Sequence, residues 1–405
     1  MCSTLSYFSW VISTKTPIPI SWFSGLGRGD GTFTFSLLMS AKEQFVNGYA
    51  FGVNPITADF NHDGFPDVVM QTFNGVGVWL SNGDGTFAPL KITTLPVEAV
   101  CPLNYMDFGD INNDGNLDVV VAYSGKTSAC GNTNTLSGYF TLLGDGTGNF
   151  TATYTPYGKQ LYQPKLVDFN GDGKLDLILD DNYQDNTFLV CGACPTPITI
   201  LPGNGDGTFG TPITVTELAN LRINDMIPGD YDGDGKQDLT LLSDARLVTK
   251  DGVLDVVPGS EGVLLLKGNG NFTFSAPVQI ASGNYVSQGG YADFNLDGNP
   301  DLIFGVRAPY QGIGELIAVS LFMMPNLGGG SFGAPVSADP PLTSPEIFIG
   351  DFNGDGSPDV IVGGPPHLRA MQTMFCTNSQ PNSIAVRPTA TLLPSRAAIP
   401  APFTI

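Results

Sequence analysis

The sequence predicts an all-β fold built from a repeated unit, a β-propeller, and three observations carry that prediction. Short apolar runs alternate with turns rich in glycine and proline (51 Gly and 31 Pro in 405 residues), and no helical periodicity of useful length is present. A nine-residue acidic loop occurs six times, starting at residues 59, 110, 168, 230, 293 and 351, with spacings of 51, 58, 62, 63 and 58 residues. A second, glycine-rich signature lies between the loops. A fixed period of this size with several short strands per period is the pattern of propeller blades.

The acidic loops come first. They read DFNHDGFPD (Asp59–Asp67), DINNDGNLD (Asp110–Asp118), DFNGDGKLD (Asp168–Asp176), DYDGDGKQD (Asp230–Asp238), DFNLDGNPD (Asp293–Asp301) and DFNGDGSPD (Asp351–Asp359). Side-chain oxygens recur at positions 1, 3, 5 and 9. These are Asp59, Asn61, Asp63 and Asp67; Asp110, Asn112, Asp114 and Asp118; Asp168, Asn170, Asp172 and Asp176; Asp230, Asp232, Asp234 and Asp238; Asp293, Asn295, Asp297 and Asp301; and Asp351, Asn353, Asp355 and Asp359. The carbonyl of position 7 (Phe65, Asn116, Lys174, Lys236, Asn299 or Ser357) adds a candidate backbone ligand. Carboxylates this crowded repel unless a cation sits among them. Calcium takes six to eight oxygens in forgiving geometry, whereas magnesium demands a strict octahedron. Thiolate and imidazole, which softer metals prefer, are missing from the ligand positions. The expected complement is therefore about six Ca²⁺. Position 6 is glycine in every copy (Gly64, Gly115, Gly173, Gly235, Gly298 and Gly356), as a sharp turn at positive φ requires.

The residues after each loop exclude an EF-hand. That motif needs a bidentate Glu at position 12 and flanking helices. Position 12 here is Met70, Val121, Leu179, Leu241, Phe304 and Val362, all apolar. Runs such as Val68–Met70, Val119–Val121 and Val360–Val362 read as buried strands. Asp/Asn/Gly turns without metal are the bland alternative, and six copies with the same oxygen positions argue against it.

The second signature reads SNGDGTF (Ser81–Phe87), LGDGTGNF (Leu143–Phe150), GNGDGTF (Gly203–Phe209), KGNGNF (Lys267–Phe272) and LGGGSF (Leu327–Phe332), with an early copy, GRGDGTF, at Gly27–Phe33. Each later copy comes after a strand-like run, for example Val76–Leu80 or Ile198–Leu201. The glycine cluster predicts a tight hairpin turn, and the closing Phe is placed to fill the core between blades.

Together, D-x-N-x-D-G-x-x-D and the downstream L-G-N-G-D-G-T-F tail resemble the FG-GAP (VCBS-type) repeat of integrin-α-like β-propellers, over about residues 20 to 365. The resemblance implies four-stranded blades, one calcium in the loop between two blade strands, and an extracellular or cell-surface setting. Seven blades are favoured over six. Residues 1–36 then form a partial N-terminal blade completing the ring, 37–379 the calcium-loop repeats, and 380–405 a Pro/Ala/Ser/Thr-rich linker or tail. Asp232, where the other loops carry Asn, should tighten binding.

Composition bounds the function. Lys plus Arg number 17 against 38 Asp plus Glu, a net charge of −21. Half of the acids sit in the loops, and six bound Ca²⁺ would leave the chain at about −9. No basic footprint for nucleic acid exists, and no apolar run is long enough for a membrane helix. The N-terminal stretch makes a poor secretory signal, so the chain is expected to begin inside a longer protein. The six cysteines (Cys2, Cys101, Cys130, Cys191, Cys194 and Cys376) fit disulfides in an oxidising compartment. The favoured pairs are Cys101–Cys130, Cys191–Cys194 and a Cys2–Cys376 bridge across the ring seam. Arg28-Gly29-Asp30, an adhesion tripeptide, reads as a coincidence of the repeat. His62, at loop position 4, reads as a solvated non-ligand. Tyr105, Tyr291 and the inserts near 124–137 and 182–197 are the surface candidates for ligand contact.

Two functions fit these bounds. The favoured one is an extracellular adhesion or ligand-binding module, recognising a protein or a glycan, with structural calcium and no enzymatic activity. The alternative is a polysaccharide lyase or hydrolase acting in the central funnel. No nucleophile elbow or Ser/His/Asp arrangement supports it, and the chain has only two histidines.

Overall fold

The computed structural model describes residues 4–8, 21–27, 33–40, 56–72, 75–84, 86–95, 103–124, 137–158, 161–180, 198–215, 222–244, 247–250, 253–256, 262–283, 286–307, 319–342, 346–350, 358–363, 374–380 and 383–388. Among them every regular element is a strand. A three-stranded sheet contains β1 (Thr4–Phe8), β2 (Ser21–Gly27) and β3 (Phe33–Ser40). Four-stranded antiparallel sheets come next, in chain order. The first holds β4 (Ile56–Ala58), β5 (Asp67–Thr72), β6 (Gly75–Trp79) and β7 (Lys91–Thr94). The second holds β8 (Leu103–Gly109), β9 (Asp118–Ser124), β10 (Ser137–Gly144) and β11 (Phe150–Pro156). The third holds β12 (Tyr162–Val167), β13 (Asp176–Asp180), β14 (Ile198–Leu201) and β15 (Ile213–Val215). In the next sheet β16 (Arg222–Gly229) and β17 (Asp238–Asp244) are separated by a hairpin, β18 (Leu247–Lys250) and β19 (Val253–Val256), from β20 (Gly262–Leu266) and β21 (Val278–Ala281). Then come β22 (Val286–Ala292), β23 (Asp301–Arg307), β24 (Val319–Met324) and β25 (Val336–Leu342), and finally β26 (Glu346–Gly350), β27 (Asp359–Gly363), β28 (Met374–Gln380) and β29 (Ser383–Pro388). No helix of the described residues is long and apolar enough to cross a membrane.

The strands immediately after the acidic loops are apolar on both faces because the four sheets from β8 to β25 are each packed on both faces. Along β9, Val119 and Val121 enter the core shared with the preceding sheet, while Val120 and Ala122 enter the core shared with the next. Along β13, Leu177 and Leu179 face back and Ile178 faces forward. β23 repeats the division, with Leu302 and Phe304 in one core and Ile303 in another. Alternation by two therefore feeds two different cores, and the strands read as continuous apolar runs. Each of the Val, Leu, Ile and Phe side chains buried here contributes about 1.5–3 kcal/mol. The cores lie between consecutive sheets, and the first strand of each sheet touches the first strand of the next from β4 through β26. This is the architecture of propeller blades side by side, with the first strands innermost.

Each four-stranded sheet is a simple meander. The connections from first to second strand and from third to fourth therefore leave from one end, and those from second to third leave from the other. The acidic loops and the glycine-rich turns share the first end. The inserts near 124–137 and 182–197 belong to the second and lie largely outside the described residues.

Strands cross the expected segment bounds: β29 (Ser383–Pro388) pairs with β28 from Met374↔Pro388 to Gln380↔Ser383, and β3 runs to Ser40. One sequence expectation is corrected here. The glycine-rich turn at 267–272 closes on Phe274 rather than Phe272: the bridges Ser81↔Phe87, Gly203↔Phe209, Gly268↔Phe274 and Asn326↔Phe332 are equivalent. Phe272 takes the left-handed place in that turn at φ 64°, so spacing from the preceding strand, and not the first Phe, sets the register. Arg28-Gly29-Asp30, His367 and the cysteines other than Cys376 fall outside the described residues. Cys376 lies in β28.

Candidate metal centres

Each described loop is wound by its own carboxylates. Asp59 accepts backbone N–H groups from Asp63 at 3.1 Å and Gly64 at 2.8 Å. Asp110, Asp168, Asp230 and Asp293 hold positions 5 and 6 of their loops in the same way. The position 3 oxygen accepts the position 5 N–H, and the position 5 carboxylate accepts the position 7 N–H, at Phe65, Asn116, Lys174, Lys236 and Asn299. These bonds draw the side-chain oxygens of positions 1, 3 and 5 to the inside of one turn. The described position 6 glycines meet the expectation of a left-handed turn, with Gly64 at φ 85° and Gly115 at 90°. Position 4 is left-handed as well. Gly171 and Gly233 take it cheaply, whereas His62, Asn113 and Leu296 adopt it without that freedom. His62, expected to be merely solvated, reaches the neighbouring loop, with its Nε2 3.2 Å from Asn116 Oδ1.

Position 9 does something the sequence did not reveal. Asp67, Asp118, Asp176, Asp238 and Asp301 are each the first residue of a strand and essentially inaccessible to solvent. One oxygen of Asp67 accepts Phe60 N–H at 2.9 Å, the other Ser81 N–H at 2.8 Å. The same pair of bonds joins Asp118 to Ile111 and Gly144, Asp176 to Phe169 and Gly203, Asp238 to Tyr231 and Gly268, and Asp301 to Phe294 and Asn326. Position 9 thus clamps the acidic loop to the glycine-rich turn of its own sheet. Position 2 then locks sheet to sheet. Phe60, Phe169 and Tyr231 meet the closing Phe of the next sheet's turn (Phe150, Phe274 and Phe332) nearly edge to face at 5.9, 5.7 and 5.7 Å.

The fourth loop differs. Elsewhere the position 3 Asn donates its amide to the position 5 carboxylate, as Asn61 does to Asp63 at 2.8 Å. With Asp232 in that place, lysines supply the donors: Lys267 binds Asp232 at 2.9 Å and Lys236 binds Asp234 at 2.7 Å. Carboxylate oxygens of Asp230, Asp232 and Asp238 lie within 4.8 Å of one another. Two oxygens each roughly 2.3–2.6 Å from one ion stand at most about 5 Å apart, so this set fits calcium. Each carboxylate keeps lone pairs beyond those given to the backbone. Asp351, Asn353, Asp355 and Ser357 of the sixth loop lie outside the described residues, and Asp359 opens β27.

Burial, aided by the charges of Asp63 and Asp59 but opposed by the Ser81 and Phe60 N–H groups, pushes Asp67 up to about 6. Asp301 is raised likewise to about 6, and Asp118, Asp176 and Asp238 are also raised, burial being the main cause in each. The exposed turn carboxylates go the other way. Asp145, bonded by Thr147 first, falls to about 2. A raised carboxyl binds its proton more tightly when folded, so its stabilisation is complete below the unfolded value and is lost as pH rises through the folded one. Metal-free protein is therefore expected to lose stability as pH climbs from about 4 to about 6. With calcium, which takes the ionised form, the slope should reverse. Urea midpoints across that range, in chelator and in calcium, check both signs.

Comparison with known proteins agrees with this construction. The FG-GAP-like repeat family matches residues 59–121, 110–179 and 248–304. A T-cell immunomodulatory protein homolog of Plasmodium yoelii yoelii is 24% identical over a 173-residue alignment that covers 38% of this chain and only 24% of the length of that relative. Among solved structures, an Agrocybe aegerita lectin, described for specific recognition of non-reducing terminal N-acetylglucosamine, aligns over 96% of this chain and 89% of its own with a TM-score of 0.59 at 17% identity. That likeness is one of fold. The exotype rhamnogalacturonan lyase YesX aligns over 93% of this chain and 68% of its own, at a TM-score of 0.42 and 11% identity, too low to carry an argument. The acidic loops, the turns that answer them and the family match agree: the chain carries FG-GAP-like repeats.

Proposed function

We propose that this chain is an extracellular β-propeller, seven-bladed with the 4–40 sheet as part of the ring, that binds a protein or glycan ligand and is held together by about six structural calcium ions. The observation that supports it most is the internal completeness of each described loop. Positions 1, 3 and 5 turn their oxygens inward under backbone restraint, and the fourth loop brings three carboxylates within calcium-binding separation. Ions held this way would cancel the mutual repulsion of the carboxylates and stiffen the turn, with position 7 carbonyls completing the shell. Such sites leave little room for substrate, so recognition falls to the rest of the surface. The lectin's fold likeness accords with a binding role, and no acid–base constellation in the described loops favours the lyase or hydrolase alternative. A glycan and protein array, run in calcium and in chelator, tests the reading. Specific binding that disappears with calcium removal is the expected result; an array blank in both conditions would sink it.

A further inference from the structure

The inner edges of three consecutive sheets bring together charged groups that neither the acidic loops nor the cores use. Asp107 on β8 and Lys165 on β12 hold the same place, three residues ahead of the next acidic loop, and Asp225 on β16 stands five residues ahead of its own. One oxygen of Asp107 accepts Leu166 N–H from the next sheet at 2.7 Å. Asp225 accepts Gly289 N–H, again from the next sheet, at 3.0 Å, and its other oxygen accepts Met226 N–H at 2.9 Å. Side-chain amides continue the stitching, Gln163 donating to the Asn224 carbonyl at 2.7 Å and Asn224 to the Val286 carbonyl at 2.6 Å.

Some of these polar groups are left over. Among the described residues no hydrogen bond or ion pair engages the Lys165 ammonium, and the Asp107 carboxylate meets only backbone N–H groups, those of Leu166 and of its own neighbour Phe108, although both side chains are half-buried. Gln163, 2% exposed, leaves its Oε1 without a partner close by. Burial works to discharge Lys165, but Asp225 and Asp107, with Tyr105 beside them, outweigh it and hold the amine above its ordinary value. A salt bridge kept for strength alone would be closed. Here the ammonium and the Asp107 carboxylate, whose oxygens keep lone pairs beyond those given to the backbone, stand apart across a seam.

An ammonium only donates and an ionised carboxylate only accepts. A ligand that satisfies both must present an acceptor and a donor side by side. Adjacent hydroxyls do this, and being neutral they are repelled by neither charge. An anion would meet Asp107 and Asp225, and a cation would meet Lys165. We propose that the inner edge formed by β8, β12 and β16 binds a neutral, hydroxyl-rich ligand of the saccharide class, Lys165 Nζ donating to one hydroxyl oxygen and Asp107 accepting from its neighbour. Asp225 keeps the lysine in place, and Tyr105 borders the site. The proposal narrows the ligand-binding reading above to one ligand class and one place, and rests on it.

The test uses the full chain in saturating calcium, titrated by calorimetry and saturation-transfer NMR with methyl α-mannoside, methyl β-galactoside and N-acetylglucosamine, with glucuronate and putrescine as charged controls. At least one neutral saccharide should bind, and neither control should. Lys165→Met should weaken binding roughly tenfold to a hundredfold, the worth of a charge-assisted hydrogen bond. Asp107→Asn, which keeps an acceptor for Leu166 N–H, should weaken it as well. If Lys165→Met does not fold, Lys165→Gln is read in its place. Absence of binding by every neutral probe, preference for a charged one, or binding indifferent to both substitutions overturns the site. An array ligand that still binds after Lys165→Met overturns this site alone, whereas a blank array overturns the broader reading.

Discussion

Removing calcium is expected to lower the melting temperature by about 10 °C or more. An ion that binds only the folded chain stabilises it by about 2.7 kcal/mol when present at a hundred times its dissociation constant. Several loops add such contributions. Without the ion, Asp59, Asp63 and their counterparts face one another with only backbone N–H groups and neighbouring amides between them. Differential scanning calorimetry in EDTA, then with excess calcium and then with excess magnesium, measures the effect. Restoration by calcium and not by magnesium is expected. A melting curve unmoved by EDTA would remove calcium from the account of this fold.

The second large effect does not depend on metal. Asp176→Ala leaves two buried N–H groups, those of Phe169 and Gly203, without an acceptor. At about 1–3 kcal/mol for each orphaned group, the loss is about 2–6 kcal/mol. Asp172→Ala is the control. Asp172 is exposed and holds only local bonds, including the Lys174 N–H. It should blunt the calcium response while costing the metal-free protein little. Urea unfolding of both variants in EDTA separates the roles. Equal losses for the two would mean that position 9 is a ligand and nothing more.

Much of the fold was legible because both faces of the sheets from β8 to β25 are buried. The runs after the loops had to be apolar throughout, and Val119–Val121 and Leu177–Leu179 announced strands without any alternation. The position 6 glycines were legible because only glycine takes their backbone cheaply. Less visible were the long-range partners. Nothing local marks Asp67 as acceptor for Ser81, fourteen residues on, or Phe60 as the counterpart of Phe150 in another sheet. The inner-edge charges escaped notice for the same reason. Asp107 and Lys165 are 58 residues apart, one repeat length, and only the packing of first strand on first strand makes them neighbours. In the turn after β20 the first aromatic, Phe272, is not the equivalent one, because the register of the turn brings Phe274 to that place.

The meander in each sheet has a consequence for how such a chain can change. Its acidic loops and the turns they clamp sit at one rim, and its longest connections leave from the opposite rim. Lengthening or rewriting a connection between second and third strands leaves Asp176, Phe169 and their counterparts untouched. New specificities can therefore be tried at the far rim with little risk to the assembly that supports them.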